Sequence, residues 1–153
     1  VTKGGGRKMI LGLIDRWSRR ANFKVVDSES GQSVRRFLID TIRAWGVMPE
    51  SVMTDNGAGF INNSIRSALD ILDIEHRICP PGSPEKKPHI ERLFGTFTRE
   101  RAELLAGYVG HNVAEAQELR ARAKKATGRA LVLPEMTPEE LQTVLTAWLD
   151  GTY

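Results

Sequence analysis

Two acidic residues in the segment 52–97 constrain this sequence more than any other feature. Asp55 follows a short run, residues 51–54, that is typical of a buried strand, and Asn56-Gly57 then indicates a turn. Glu91 lies where a proline-rich loop becomes a helix, and 35 residues separate it from Asp55. The end of a strand and the start of a helix can direct two carboxylates into one pocket. Such a pair can hold a divalent cation, because Mg²⁺ prefers one or two carboxylates together with phosphate oxygens of a substrate.

Each acid also has an ordinary structural explanation. An Asp-Asn-Gly sequence after a strand is most often only a turn. A glutamate in the first turn of a helix is favoured by the helix dipole alone, by roughly 0.3–1 kcal/mol, and Glu91-Arg92 would then be surface charge. For Asp55 the two interpretations are compatible, because a turn is what would present the carboxylate. For Glu91 the stiff loop of prolines favours a fixed position, which a catalytic group needs.

The same segment resembles a known family. It contains TDNGAGF at residues 54–60, a proline-rich loop at 80–84 and the helix start KPHIER at 87–92. In this order and at this spacing the sequence resembles the catalytic core of DDE transposases and retroviral-type integrases, and most closely that of bacterial phage Mu-like transposases. The segments DRWSRR (15–20), LLAGYVGHN (104–112) and TPEELQTVLTAWLDGTY (137–153) resemble other parts of the core and of the region that follows it.

The resemblance implies an α/β, ribonuclease-H-like fold, with a mixed sheet flanked by helices and here without its first strand. Residues 1–107 would form the catalytic core, partial at its N-terminus, and residues 108–153 would form a C-terminal helical extension. Hydrophobic periodicity agrees with a mixed α/β order. It predicts strands at 8–14, 21–26, 51–54 and 74–79, and helices at 33–45, after Asn62-Asn63, from Pro88, at 114–126 after Asn112, and from Thr137.

Composition restricts the class of protein only broadly. The 153 residues are 41% hydrophobic and 27% charged, which is typical of one globular domain, and a net charge of +3 does not by itself indicate nucleic-acid binding. One cysteine, Cys79, excludes an internal disulfide and fits a reducing cytosol, and no apolar run is long enough to cross a membrane. With the resemblance, this predicts a cytoplasmic bacterial protein associated with the nucleoid. The start at Val1 suggests a piece of a longer protein.

The resemblance assigns roles to particular residues. Asp55 and Glu91 would be catalytic and would bind two Mg²⁺ or Mn²⁺ ions, which activate water or a DNA 3′-hydroxyl and stabilise the leaving oxygen. The substrate would be double-stranded DNA, nicked at the ends of the mobile element and then joined to target DNA. For Lys86 and Lys87, contact with DNA phosphates and a solvated loop without a ligand are both open alternatives. The candidate DNA-binding residues are Lys86, Lys87, His89 and Arg92.

The family requires three carboxylates, and the sequence presents two of them clearly. If DRWSRR is aligned with the second strand of the family, the first acid lies on a strand before Val1, and Asp15 lies outside the site. In the alternative alignment Asp15 is itself the first acid, at the end of an apolar strand. The position of Asp15 within D-x-x-S-R favours the first alignment.

Two classes of function therefore compete. One is the catalytic core of a DNA transposase or integrase that performs metal-dependent end nicking and strand transfer. The other is a catalytically inactive DNA-binding or assembly module with the same fold, which the incomplete set of acids favours. The expected partners are the element ends and target DNA, further copies of the chain as a homo-oligomer on DNA, and an ATPase that selects the target. No membrane partner is expected.

Overall fold

The elements of the chain follow a mixed α/β order in a computed structural model. The structure describes residues 8–80, 87–102, 117–118, 121–122, 125 and 136–151. Five isolated residues within the predicted helix 114–126 are described and are helical, whereas its predicted cap, Asn112, lies outside the described residues. The described elements are β1 (Met9–Ile14), β2 (Ala21–Val26), α1 (Gly31–Trp45), β3 (Ser51–Thr54), α2 (Asn63–Ile71), β4 (Glu75–Ile78), α3 (Pro88–Glu100) and α4 (Pro138–Gly151). This order is the one predicted from the sequence.

The chain divides into two compact units, and all four described strands lie in the unit formed by residues 9–91. In this unit β1 and β2 pair antiparallel, with Met9 opposite Val26 and Ile14 opposite Ala21. The strands β3 and β4 pair in parallel, from Ser51 opposite Glu75 to Thr54 opposite Ile78. Among the described residues each sheet has two strands, so one edge of β1 and one edge of β3 have no strand beside them.

One hydrophobic cluster holds these strands and the helices α1 and α2 together. The apolar side chains recur at helical spacing along α1 and α2, so each helix turns one stripe towards the sheets. Thr41, on the α1 stripe, is also fully buried, and its hydroxyl accepts a hydrogen bond from the Asn22 side chain at 2.8 Å. The buried members of the cluster are Leu11, Val34, Phe37, Leu38, Ile65, Leu69 and Ile74.

The helix ends follow the capping signals of the sequence. Asn62 caps α2 as predicted, since its Oδ1 accepts the Ile65 N–H at 3.1 Å. Gly46 ends α1 in the left-handed conformation, with φ 67°. The helix α1 begins at Gly31, two residues before the predicted start, because Ser30 is its cap and accepts the Ser33 N–H at 3.2 Å.

The second unit comprises residues 1–8 and 92–153. Within it, the rings of Phe97 on α3 and Trp148 on α4 meet edge to face at 5.3 Å, and the Trp148 indole N–H donates to Glu100 at 2.8 Å. At the start of α4, Thr137 and Glu140 form the predicted capping box, with reciprocal side-chain to backbone hydrogen bonds of 2.7 and 3.2 Å.

None of the helices in the described part of the chain combines the length and the apolar character that a membrane span requires.

Candidate active site

The turn after β3 holds the carboxylate of Asp55 in a defined position. Its Oδ1 accepts the N–H of Gly57 at 2.9 Å, which is the geometry of an Asx turn. The turn continues into the cap of α2, because Phe60 and Ile61 both donate their N–H groups to the Gly57 carbonyl. The Asn62 side chain also donates to the Gly59 carbonyl at 2.7 Å. Local hydrogen bonds therefore fix the segment from β3 to α2.

The other oxygen of Asp55 faces a cation. The ammonium group of Lys87 lies 3.7 Å from Asp55 Oδ2, and the Asp55 side chain is 46% exposed. Lys87 immediately precedes α3, and the Glu91 N–H donates to its carbonyl at 3.2 Å. Lys87, the residue before the helix that carries Glu91, is thus beside Asp55.

A second carboxylate beside Asp55 was missed by the sequence reasoning. Glu29 lies in the loop before α1, and a methyl group added to Gly57 would come 3.0 Å from Glu29 Oε1 and 2.9 Å from Asp55 Oδ1. A methyl group on Gly59 would meet the Glu29 carbonyl oxygen at 2.4 Å. Partial burial and the charge of Asp55 raise the pKa of Glu29 above its ordinary value. In the sequence, Gly57 and Gly59 of the segment NGAG are the signal that could have indicated this close approach.

Behind Asp55, a histidine supports the end of β3. The hydroxyl of Thr54 lies 2.9 Å from Nε2 of His76, on the neighbouring parallel strand, and Thr54 is buried. Burial and the positive charge of Arg66 lower the pKa of His76. The neutral ring is therefore favoured, and it links the two strands at the residue preceding the candidate acid.

The remaining predicted site residues are located as follows. Glu91 is exposed in the first turn of α3, and His89, two residues before it, is half-buried. Arg92 is exposed on the same helix. Lys86 lies outside the described residues. Of the predicted set, the structure brings Lys87 into direct contact with Asp55.

Asp15 has a different environment, in the turn between β1 and β2. Its carboxylate accepts the N–H groups of Trp17 at 3.3 Å and Ser18 at 2.9 Å, together with the Ser18 hydroxyl. Its own N–H donates to the Arg20 carbonyl, next to the start of β2, whereas Glu29 follows the end of β2. The six residues of β2 span roughly 20 Å. This separation from the Asp55 turn favours the alignment in which Asp15 is not an active-site acid.

The donor set fits a hard cation in part. Asp55 offers one carboxylate oxygen that already faces a positive charge, and Glu91 offers a second carboxylate from an exposed position. Oxygen ligands of this kind suit Mg²⁺. Within residues 8–80 and the other described segments, no three His, Cys, Asp or Glu side chains gather into a group that could hold a metal ion. The carboxylate that the structure brings beside Asp55 is that of Glu29, and the pairing of Asp55 with Glu91 stays a prediction.

Residues 24–107, more than half of the chain, match the family model described as TnsB C-terminal domain. The chain belongs to this family. The match covers the Asp55 turn, His76, Lys87 and Glu91, and it makes the chain a transposase- and integrase-related domain.

Two kinds of relative accompany this family membership. A transposon-derived protein of Caenorhabditis elegans is 34% identical over 64 residues, which are 42% of this chain and 22% of that protein. The integrase catalytic core of HTLV-2, solved in complex with magnesium, superposes with a TM-score of 0.62 at 12% identity over 100% of this chain and 80% of that one. A simian T-cell lymphotropic virus intasome, solved with a PP2A regulatory subunit, gives 0.63 at 16% identity over 95% and 43%.

These similarities confirm the predicted ribonuclease-H-like fold. The family and the transposon-derived relative confirm the predicted relation to transposases and integrases. The chain spans less than a quarter of the C. elegans relative and less than half of the intasome chain.

Proposed function

We propose that this chain is the catalytic core of a DNA transposase, in which Asp55 and Glu91 are two of the acids that bind the catalytic metal ions. The observation that carries the proposal is the Asp55 turn: one carboxylate oxygen is held by Gly57 and the other faces the Lys87 ammonium group. The Lys87 ion pair supports the proposal because this carboxylate oxygen already faces a positive charge.

The residues around Asp55 have separable tasks in this proposal. Gly57 fixes the carboxylate through its N–H, and Thr54 with His76 holds the end of β3. Mg²⁺ or Mn²⁺, two ions in the complete site, would activate the attacking oxygen and stabilise the leaving oxygen of the DNA backbone. Glu91 supplies a second carboxylate from the start of α3, and Lys87 can exchange Asp55 for a DNA phosphate.

Residues close to Glu91 in the sequence complete the proposed DNA surface by contacting phosphates. We assign Lys86, Lys87, His89 and Arg92 to it, with double-stranded element ends and target DNA as the ligands. A third acid, on a strand ahead of β1, would complete the two-ion site. The edges of β1 and β3 that have no neighbouring strand in the described residues support such a strand.

The same proposal has four further parts. We propose that the chain is most closely related to phage Mu-like transposases and that it forms a homo-oligomer on DNA. We also propose that an ATPase partner selects the target and that the protein acts in a bacterial cytoplasm. The intasome relative is an assembly by its name, which supports oligomerisation on DNA. We also retain the division into a core of residues 1–107 and a helical extension of 108–153.

A specific observation favours a second candidate function. Since the described residues hold no group of three metal-binding side chains, the chain could serve as a DNA-binding or assembly module without chemistry. In that case the Asp55 turn would be only a structural link between β3 and α2.

The test compares Asp55→Asn and Glu91→Gln in the full-length protein, assayed for end nicking and strand transfer in Mg²⁺. Both substitutions keep the side-chain shape and remove a metal-binding charge, so both reactions should be lost while DNA binding persists. Asp40→Asn is the matched control, because Asp40 is an exposed acid on α1 whose neighbour is Arg36. Near-normal strand transfer by Glu91→Gln would remove the catalytic assignment and leave the assembly module.

A further inference from the structure

The turn between β1 and β2 presents a tryptophan almost entirely to solvent. Trp17 is 94% exposed, whereas Trp148 is buried and Trp45 is half-buried. We call residues 15–20 the Trp17 turn. A large aromatic ring in this position contributes nothing to the core, so its presence calls for a different explanation.

The Trp17 turn is rigidly built in spite of its exposure. Asp15 accepts hydrogen bonds from the N–H groups of Trp17 and Ser18 and from the Ser18 hydroxyl. Asp15 and Arg20 close the turn with a 2.8 Å backbone hydrogen bond, and Arg19 adopts the left-handed conformation with φ 65°. The backbone under Trp17 is therefore fixed, and a ligand would lose little entropy in ordering it.

The surroundings of Trp17 are positively charged. Arg16, Arg19 and Arg20 are all exposed, and the guanidinium of Arg20 lies over the Trp45 ring at 5.5 Å. The carboxylate of Asp15 accepts hydrogen bonds from within the turn itself. An exposed aromatic face flanked by arginines complements a ligand that has both flat rings and negative charges.

We propose that the Trp17 turn is a DNA contact in which an unpaired base stacks on Trp17 while Arg16 and Arg19 pair with the flanking phosphates. Stacking of bases on aromatic side chains within basic surfaces is the general mode of binding single-stranded nucleic acid. The turn lies at the opposite end of β2 from Glu29 and the Asp55 turn, roughly 20 Å away. It would therefore hold DNA outside the proposed active site.

This inference rests on the proposed function only for the identity of the ligand, DNA, and not for any chemistry. It can be tested in metal-free buffer, where no metal-dependent catalysis takes place. Retained catalysis in Asp55→Asn would contradict the proposed function, whereas unchanged single-strand binding in Trp17→Ala would contradict the proposed DNA contact. The two failures are therefore distinguishable.

The first experiment measures the affinity of the full-length protein for a short single-stranded oligonucleotide and for a blunt duplex of unrelated sequence. Trp17→Ala should weaken single-strand binding about 5- to 150-fold, the range for one stacked base, and should affect the blunt duplex less. Trp17→Phe should keep most of the affinity because it keeps a ring. Arg16→Ala with Arg19→Ala should reduce the slope of log affinity against log salt by roughly 0.7 per lost contact.

The matched control is Arg35→Ala with Arg36→Ala, which removes the same charge from the exposed surface of α1. A second measurement is direct: photocrosslinking to an oligonucleotide that carries one 5-iododeoxyuridine should map to Trp17. Circular dichroism and melting should be unchanged in the Trp17 variants, because the side chain makes no core contact.

Two results would overturn the proposal. One is single-strand affinity of Trp17→Ala equal to that of wild type, and the other is an equal loss in the Arg35/Arg36 control. If the first result came with reduced self-association in sedimentation, the turn would be a protein interface.

Discussion

The ammonium nitrogen of Lys87 lies 3.7 Å from Oδ2 of Asp55. The pair is partly open to solvent, since 46% of the Asp55 side chain is exposed, so its contribution to stability is small. A weak pair of this kind is easily exchanged. Under the proposed function, a metal ion would take the place of the ammonium group at Asp55, and a DNA phosphate would take the place of Asp55 at Lys87.

This exchange predicts opposite effects of Lys87→Gln on two ligands. Without the nearby positive charge, Mn²⁺ should bind the full-length protein more tightly, by about five-fold if the pair contributes about 1 kcal/mol in a water-like dielectric. DNA should bind more weakly, with a salt slope reduced by roughly 0.9. Calorimetric titration of Mn²⁺ and DNA titrations at several salt concentrations measure the two effects.

The control for this prediction is Lys24→Gln, which removes an exposed lysine from β2. It should leave Mn²⁺ affinity unchanged. If Lys87→Gln weakens Mn²⁺ binding, or leaves both ligands unaffected, Lys87 has no part in the site beyond a solvated contact.

Glu29 predicts a stability effect that depends on pH. Its pKa in the folded protein is raised above the ordinary 4.5, so between these values the folded state binds more protons than the unfolded state. Stability contributed by this group is therefore lost as pH rises from about 4.5 through the folded pKa. Glu29→Gln removes the loss while keeping the shape. Its free energy of unfolding relative to wild type should be higher at pH 7.5 than at pH 4.

Urea denaturation at the two pH values measures this difference. The control is Glu50→Gln, which removes an exposed acid ahead of β3. If the relative stability of Glu29→Gln did not change with pH, neither burial nor the charge of Asp55 would raise the pKa of Glu29 appreciably.

Gly59 tests how tightly the Glu29 loop is held against the Asp55 turn. A Cβ atom at Gly59 would lie 2.4 Å from the Glu29 carbonyl oxygen, and a backbone atom cannot move aside as a flexible side chain can. Gly59→Ala should therefore lower the free energy of unfolding by roughly 1–3 kcal/mol, as overpacking typically does. Thermal or chemical unfolding measures the change.

The control is Gly151→Ala at the end of α4, where a Cβ atom would meet nothing within 4 Å. That substitution should be neutral or slightly stabilising, because alanine favours a helix. Equal effects at the two glycines would show that the contact between the Glu29 loop and the Asp55 turn is loose.

The sequence predicted the elements of this protein better than the contacts between them. The strands β1 to β3, the Asn62 cap and the Thr137–Glu140 box follow from local periodicity and capping chemistry, which one segment contains completely. Glu29 could not be predicted in the same way, because it reaches the Asp55 turn through space from a different loop. Trp45 is half-buried at the end of α1, and Arg20 lies over its ring. The sequence could not show that pairing, because it joins the β1–β2 turn to the end of α1.

The role of Asp15 gives the last prediction. Its carboxylate accepts three hydrogen bonds within the β1–β2 turn, and these lower its pKa. Asparagine retains an oxygen that can accept from the backbone N–H groups, so Asp15→Asn should leave end nicking and strand transfer of the full-length protein largely intact. Asp15→Ala should weaken the turn and lower the melting temperature, while its activity at low temperature persists. The comparison must include Asp55→Asn, which should be inactive at every temperature. If Asp15→Asn abolished turnover without unfolding the protein, Asp15 would be the first acid of the site. In that case the alignment that puts that acid ahead of β1 would be wrong.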